Sequence, residues 1–177
     1  MSYKITTIEA EERLAQYFDY RQNIIVPNVS WGFHLHECDL LVLRKSGYLV
    51  EIEIKVTRTD LKKDRGKFHK HIDDYNRVKE LWFAIPDYLQ DSIEFIPEHA
   101  GVIVLNKEDR SYSDCPVIRC KILRKARINK SARTLYENEM LKLARLGTMR
   151  IWTLKKKIIN GKKHVKIVQD RAQLKLF

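Results

Sequence analysis

The fold is decided by residues 36–55, which read His36-Glu37-Cys38-Asp39-Leu40-Leu41-Val42-Leu43-Arg44-Lys45-Ser46-Gly47-Tyr48-Leu49-Val50-Glu51-Ile52-Glu53-Ile54-Lys55. Two aliphatic runs, Leu40–Leu43 and Leu49–Val56, flank the short polar segment Lys45-Ser46-Gly47. Strand-forming residues on both sides of a glycine-containing turn predict an antiparallel β-hairpin.

Charged side chains interrupt both strands of this predicted hairpin. Because side chains alternate along a strand, Glu51, Glu53 and Lys55 share one face, with successive Cα atoms on that face roughly 7 Å apart. Asp39 begins the partner strand and meets Glu53 if the register places the two residues opposite each other. Buried charges are costly unless they are paired or bind a metal, so the hairpin predicts a functional site or an internal group of ion pairs.

These residue types suit metal-assisted hydrolysis of phosphodiester bonds. Carboxylate oxygens of Asp39 and Glu53 would bind Mg²⁺ or Mn²⁺, and such an ion keeps several water ligands and accepts a phosphate oxygen. Lys55 would orient or deprotonate the attacking water and stabilise the developing negative charge. The alternative interpretation is structural, with the charges of the strand pairing with one another.

The same residues resemble a known metal-binding core. Asp39, followed on the next strand by Glu53-Ile54-Lys55, resembles the motif of the PD-(D/E)XK nuclease superfamily, with Cys38 where many members have proline. A second acid-x-Lys pattern, Asp60-Leu61-Lys62, lies in a polar segment, so the strand context singles out the first. The resemblance implies a restriction-endonuclease-like fold and a nuclease that depends on Mg²⁺ or Mn²⁺.

Members of this superfamily often add a glutamate from the first helix to the metal site. Glu9, Glu11 and Glu12 are available, and Glu12 is preferred because it lies one turn from both Ile8 and Ala15 on the predicted inward face. Glu9 is instead needed for a predicted capping box with Thr6.

The similarity covers roughly residues 7 to 146. Thr57-Arg58-Thr59-Asp60 and an aromatic strand that ends at Pro86 are similar to the small MmcB-like DNA-repair branch. Lys67, His71 and Tyr75 have the i, i+4, i+8 spacing of one helix face, where they would contact nucleic acid. Arg58 would bind phosphate or pair with Asp60.

Composition predicts a single compact domain over residues 1–177 with a basic extension at 124–177, and the resemblance implies a nuclease-like core at 1–123. The chain is 44% hydrophobic and has only 6 Gly and 4 Pro, which is typical of a globular protein of this length. No apolar run approaches the roughly 18 residues of a membrane span, and no secretory segment is present, so we expect a cytoplasmic protein without a membrane partner. Three cysteines without a C-x-x-C pair predict neither a disulfide framework nor a thiolate zinc site.

The net charge of +11 is concentrated in the last third of the chain. Residues 1–118 contain 16 Lys/Arg and 20 Asp/Glu, whereas residues 119–177 contain 18 and 3. Such asymmetry indicates a polyanionic partner, because neutralising phosphates releases condensed counterions. The alternative is a basic chain that its charge keeps soluble.

The far C-terminus predicts how this charge is presented. Asn160-Gly161 is a strong type I′ turn signal between residues 150–158 and 163–168, and it predicts an amphipathic β-hairpin. Its outer face would offer lysines to a phosphate backbone, namely Lys155, Lys157, Lys162 and Lys166.

Periodicity and capping signals predict the remaining elements. We expect helices from Thr6 to about Gln22, from about Thr59 to Lys79, and from a cap at Ser131 to Leu146. Strands are predicted near 24–29, 81–85, 101–105 and 117–123. The fold class is therefore α/β (α+β): an α-β-β-β-α-β mixed sheet flanked by helices, followed by the C-terminal helix and basic hairpin.

Three functional hypotheses follow from these patterns. The first is a metal-dependent endonuclease or repair nuclease that hydrolyses DNA, with RNA as an alternative substrate and a homodimer as the expected arrangement if both strands are cut. The second is a catalytically silent nucleic-acid-binding module with the same fold. The third makes the basic last third a protein-docking surface.

Overall fold

A six-stranded mixed sheet with its strands in chain order forms the centre of the fold. The structure is a computed structural model that describes residues 4–29, 37–65, 77–108 and 117–173, and for residues 64–65 and 162–173 the backbone alone. The strands are β1 (Ile24–Val29), β2 (Cys38–Leu43), β3 (Leu49–Ile54), β4 (Val78–Pro86), β5 (Gly101–Glu108) and β6 (Val117–Arg124). Neighbours β1, β2 and β3 are antiparallel, β3, β4 and β5 are parallel, and β6 is antiparallel to β5.

Helices cover both faces of this sheet. Helix α1 (Thr7–Tyr17) buries Leu14 on one face with the even-numbered side chains of β2 and β3. Helix α3 (Glu137–Gln173) buries Leu143 and Leu146 on the opposite face above β1 and β2. Helix α2 (Arg58–Arg65) and the 3-10 segment Asp87–Phe95 cover the same face above β4 and β5. The predicted α-β-β-β-α-β order and the mixed sheet flanked by helices are confirmed.

The first helix begins where its capping box predicts. The Thr6 hydroxyl accepts a hydrogen bond from the Glu9 backbone N–H at 3.3 Å, and a Glu9 carboxylate oxygen accepts from the Thr6 N–H at 2.8 Å. The helix ends at Tyr17 rather than at Gln22, because Asp19 takes a left-handed conformation with φ 53° that a continuing helix does not allow.

The predicted C-terminal hairpin is wrong. Helix α3 runs from Glu137 to Gln173 through both Gly147 and the Asn160-Gly161 pair, so the C-terminal segment up to Gln173 is helical. Residues 137–158 are rich in Glu, Leu, Lys, Arg and Met, which favour helix, and an established helix extends through a single glycine at about 1 kcal/mol. The predicted cap at Ser131 is also wrong, since the helix begins only at Glu137.

Two further boundaries differ from the sequence prediction. Helix α2 spans Arg58–Arg65, and the rest of the helix predicted to Lys79 falls partly on residues 66–76, outside the described part of the chain. The strand predicted at 81–85 is longer and begins at Val78. No helix among the described residues has the length and apolar character needed to cross a membrane.

Strands β1 and β2 both change pleat near the site described below. Val26 and Val29 are three residues apart yet pack in the same cluster, as do Cys38 and Leu41, whereas regular strands would turn such residues to opposite faces. The paired register skips Asn28, whose φ is 54°, and the residue opposite it, Asp39. This local irregularity alters the direction of both side chains.

Candidate active site

Asp39, Glu53 and Lys55 meet where β3 ends and β2 begins. The antiparallel register pairs Leu40 with Ile52, so that one further step places Asp39 opposite Glu53. The Lys55 ammonium lies 2.6 Å from Glu53 Oε2 and 4.0 Å from Asp39 Oδ2. The structure thus brings together the three residues that the strand pattern singled out.

Glu53 is the most strongly perturbed carboxylate of this group. It is 4% exposed, and its Oε1 atom is buried without a hydrogen-bond partner among the described residues. Burial raises the pKa of Glu53 to about 7; the nearby negative charges of Asp39 and Glu51 add to the rise, and the Lys55 ammonium opposes it. Such a carboxylate gains from a cation placed against its unpartnered oxygen.

Asp39 connects this buried group with solvent. Its side chain is 30% exposed, and its Oδ2 atom accepts a hydrogen bond from the Ile54 backbone N–H at 2.7 Å. That bond fixes the carboxylate against the end of β3, while the exposed portion leaves room for a ligand. A ligand can therefore reach the Asp39 carboxylate from solvent, whereas the Glu53 carboxylate is buried.

Glu11 is the glutamate of α1 that faces the Asp39 carboxylate. Its Oε1 atom accepts a hydrogen bond from Asn28 Nδ2 at 3.3 Å, and Asn28 lies on β1 beside Asp39. Burial raises the pKa of Glu11, and the negative charge of Asp39 raises it further, against the Asn28 hydrogen bond. The two carboxylates are therefore close enough to interact.

Glu12, the predicted contributor from α1, is not brought to this group. Its Oε1 atom accepts a hydrogen bond from Gln16 Nε2 one turn along the helix, and its side chain lines a surface hollow beside Ile118 of β6. The prediction placed the inward face of α1 about one residue away from its observed position. It relied on Ile8, which is 76% exposed. Of the glutamates of α1, Glu11 is the one whose pKa the charge of Asp39 raises.

The other predicted contact residues lie outside this group of carboxylates. Arg58 forms an exposed ion pair with Asp91 rather than with Asp60, and its hydrogen bond lowers the pKa of Asp91. Lys67, His71 and Tyr75 lie outside the described residues.

The four predicted lysines of the extension belong to helix α3, not to a hairpin. Lys155 and Lys157 are exposed, and the Lys155 ammonium lies 4.8 Å from the centre of the Trp152 ring. For Lys162 and Lys166 the structure describes only the helical backbone.

Two residues of the site neighbourhood were not predicted. Asn28 joins β1 to Glu11, and the Arg150 guanidinium of α3 donates a hydrogen bond to the Asn28 carbonyl. An asparagine directly after Pro27 is a weak signal for the left-handed conformation that Asn28 adopts, since Asn tolerates it better than most residues. Nothing in the local sequence indicates Arg150.

The donor set fits a hard divalent cation held by few protein ligands. Within the described ranges, no three His, Cys, Asp or Glu side chains form a group that could hold a metal by themselves. Mg²⁺ is usually held by one or two carboxylates and completes its shell with water and substrate phosphate. The unpartnered Glu53 Oε1 and the partly exposed Asp39 carboxylate match that smaller requirement.

Comparisons with known proteins bear on the fold. No protein-family profile matches the chain, and no curated protein matches it in sequence. Among solved structures, it is similar to the SPO1766 protein of unknown function from Silicibacter pomeroyi, with a TM-score of 0.54 and 15% identity over 84% of this chain and 88% of that one. At 15% identity the likeness bears on the fold alone and says nothing about activity.

Proposed function

We propose that this protein is a nuclease that depends on Mg²⁺ or Mn²⁺ and hydrolyses phosphodiester bonds of DNA. The observation that carries the proposal is the buried Glu53 carboxylate, which has one oxygen on Lys55 and the other without a hydrogen-bond partner in the part of the chain that the structure describes. A purely structural ion pair would be expected to satisfy both oxygens, because a buried polar atom without a partner costs about 1–3 kcal/mol.

Asp39 and Glu53 would hold the ion in this proposal. When bound, Mg²⁺ lowers the pKa of a water ligand and neutralises charge on the scissile phosphate. Glu11 would act beside Asp39, either as a further ligand or through an intervening water.

Lys55 supplies the positively charged group of the proposed reaction. Its ammonium is held between Glu53 and Asp39, where it can donate to an attacking water and to a phosphate oxygen that gains negative charge. Electrostatic stabilisation of this kind acts on charge that develops in the transition state, so loss of Lys55 should lower kcat more than it raises KM.

The proposed substrate follows from the distribution of charge. Residues 119–177 carry 18 Lys/Arg against 3 Asp/Glu, and polyanions bind to such a region with counterion release. DNA in the cytoplasm is the proposed substrate, RNA the alternative, and a homodimer the proposed form for cleavage of both strands.

A cleavage assay with matched variants tests this function. Plasmid, branched and single-stranded DNA are incubated with Mg²⁺ or Mn²⁺ and with wild type, Glu53→Gln or Lys55→Ala. We expect metal-dependent cleavage that falls about 10²–10³-fold in either variant. The second acid-x-Lys pattern provides the control, since Lys62→Ala should leave the rate unchanged. Cleavage that persists in Glu53→Gln, or that no metal supports, would overturn the proposal.

The catalytically silent nucleic-acid-binding module is the second candidate function. The ion pair of Lys55 with Glu53 favours it, because it neutralises the buried carboxylate without a metal. It predicts binding of nucleic acid that weakens with salt, together with no Mn²⁺ binding by calorimetry. Mn²⁺ binding that Asp39→Ala abolishes would decide against it.

A further inference from the structure

A groove runs beside the carboxylates, between α1, β1 and α3. Its volume is about 680 Å³, and Glu11 and Asn28 line its end nearest Asp39. Its walls are largely aliphatic and come from all three elements, namely Ile8, Ile25, Pro27, Ile151 and Leu154. The groove therefore joins an apolar surface to the proposed active site.

Two cations of helix α3 line the same groove. Arg150 uses one guanidinium N–H on the Asn28 carbonyl, and a guanidinium has five N–H donors in all. Lys157 lies two turns further along the helix and is exposed. The two positive charges stand on one side of the groove, roughly 10 Å apart along the helix axis, so that an extended polyanion could contact both.

Contacts link the cationic part of the groove to the carboxylates. Arg150 donates a hydrogen bond to the Asn28 carbonyl, and the Asn28 side chain donates one to the Glu11 carboxylate. The negative charge of Asp39 in turn raises the pKa of Glu11. A polyanion on Arg150 and Lys157 would pass directly towards the Asp39 and Glu53 carboxylates. Without a cation between them, those carboxylates would repel it.

The cations and the aliphatic walls together indicate which kind of ligand fits the groove. A second copy of this chain would bring the same Arg150 and Lys157 charges against each other across Ile151 and Leu154, which is unfavourable. Duplex DNA has its bases stacked inside and offers the aliphatic walls little to bury. A single strand offers both phosphates for the cations and unstacked bases for the apolar surface.

We infer that this groove binds single-stranded nucleic acid through Arg150 and Lys157, with its bases against Ile151 and Leu154. The inference rests on the proposed nuclease function, because it assigns to the groove the strand that the carboxylate group would cleave. The substrate class becomes single strands and single-stranded ends of branched molecules.

The first test compares neighbouring lysines of one exposed helix. Fluorescence anisotropy measures binding of labelled oligo-dT, oligo-U and a DNA duplex in EDTA at about 0.15 M salt, where charges beyond about 8 Å are screened. Lys157→Glu should weaken single-strand binding about tenfold, and Lys157→Ala should make the salt slope shallower by roughly 0.7, as expected for one lost contact to a single strand. Lys156→Glu is the control, since Lys156 is exposed but does not line the groove. Equal effects of the two charge reversals would overturn the inference.

The second test uses apolar residues that are matched in exposure. Leu154 in the groove is 58% exposed, and Ile159 outside it is 55% exposed. Leu154→Ser should weaken oligo-dT binding several-fold and leave duplex binding unchanged, while Ile159→Ser should change neither. Circular dichroism checks that the helix is retained. Tighter binding of duplex than of single strands, or binding of phosphatidylserine vesicles without binding of oligonucleotides, would overturn the inference.

The outcomes separate this inference from the proposed function. Binding in EDTA requires no cleavage, so a wild-type protein that binds through Lys157 yet never cuts would retain the groove and overturn the nuclease. If Glu53→Gln abolishes metal-dependent cleavage while substitutions of Lys157 and Leu154 leave single-strand binding unchanged, the proposed nuclease function stands. The inference that the groove binds the single strand is then overturned. Oligo-dT and oligo-U distinguish DNA from RNA as the strand that binds.

Discussion

Glu53 is buried and paired with Lys55, and burial and the ion pair have opposite effects on the charge of its carboxylate. Desolvation dominates and raises the pKa from 4.5 to about 7 despite the Lys55 ammonium. A folded-state pKa above the unfolded value means that the contribution of this group to stability is fully present below about pH 4.5. It is lost as the pH rises through about 7.

The pH dependence of unfolding therefore tests the environment of Glu53. The shift corresponds to about 3 kcal/mol, so urea unfolding of the wild type should show this loss between pH 5 and pH 8. Glu53→Gln should flatten the profile over that range. A wild-type profile that already matches that of the variant would contradict the proposed buried carboxylate.

Metal binding should have the opposite pH dependence. A ligand carboxylate must be ionised, so Mg²⁺ competes with the proton on Glu53 and binds more tightly above pH 7. Because a ligand specific to the folded state raises stability, 10 mM Mg²⁺, a concentration chosen to be roughly saturating, should raise the Tm more at pH 8 than at pH 6. The difference should vanish in Glu53→Gln. A Tm that responds equally to Mg²⁺ at both pH values would argue against Glu53 as a ligand.

Glu53 could be predicted because it lies on the regular strand β3, and Lys55 because it directly follows that strand. Asp39 could be predicted as the first acid of the partner strand, although β2 changes pleat beside it. A short turn and two aliphatic runs fix the hairpin, and strand alternation then fixes the faces of Glu53 and Lys55. Glu11 and Asn28 could not be predicted with the same certainty. Their positions depend on the rotation of α1 against the sheet and on the left-handed backbone of Asn28, and neither is set by local sequence.

Helix α3 shows how context at the level of an element overrides a strong local signal. Asn160-Gly161 favours a type I′ turn only if the flanking segments are strands, since both residues then need positive φ. Here the preceding residues propagate a helix from Glu137, and each poor helix former within it costs at most about 1 kcal/mol. Strands β3 and β5 were predicted more closely, because their aliphatic residues are buried on both faces.

Substitution of Gly161 distinguishes the helix from the hairpin. No atom lies within 4 Å of a Cβ added at Gly161, so Gly161→Ala should increase the helical circular dichroism signal and favour the helix locally by about 1 kcal/mol. In a type I′ turn the same change would be strained and would lower stability. Loss of helical signal in Gly161→Ala would therefore contradict the helical C-terminus.

Gly101 at the start of β5 provides the opposite case within the sheet. A Cβ at this position would lie 2.3 Å from Trp82 Cε3, so the Trp82 ring on β4 would have to move. Gly101→Ala should lower the free energy of unfolding by about 2–3 kcal/mol, as overpacking of a core does. Thermal unfolding measures the loss of stability. An unchanged Tm would contradict the prediction, because it would mean that the Trp82 ring moves aside at little cost in free energy.

At the scale of the whole molecule, one carboxylate adds an ionic link between the basic helix and the sheet to the packing of Leu143 and Leu146. Glu139 accepts hydrogen bonds from Arg133 at 2.7 and 2.8 Å and from Arg77 Nε at 2.9 Å, and Arg77 directly precedes β4 and is 7% exposed. Glu139 Oε2 also accepts from the Tyr136 N–H at the start of α3. The Arg133 hydrogen bonds are the main cause of a pKa lowered to about 2.

Removal of this ionic link should destabilise the protein as a unit rather than the helix alone. Glu139→Gln withdraws the charge that faces the buried Arg77 side chain, which should lower the free energy of unfolding by about 3 kcal/mol at pH 7. Because the folded pKa of Glu139 is depressed, its contribution is present above about pH 4.5 and is lost as the pH falls towards 2, so the variant should also lack that part of the acid sensitivity. Glu137→Gln, an exposed acid in the same first turn, should cost less than about 1 kcal/mol. Urea titrations of both variants at pH 7 and pH 3 measure the free energy of unfolding. Equal losses in the two variants would mean that Glu139 contributes only through the helix dipole and does not link α3 to β4.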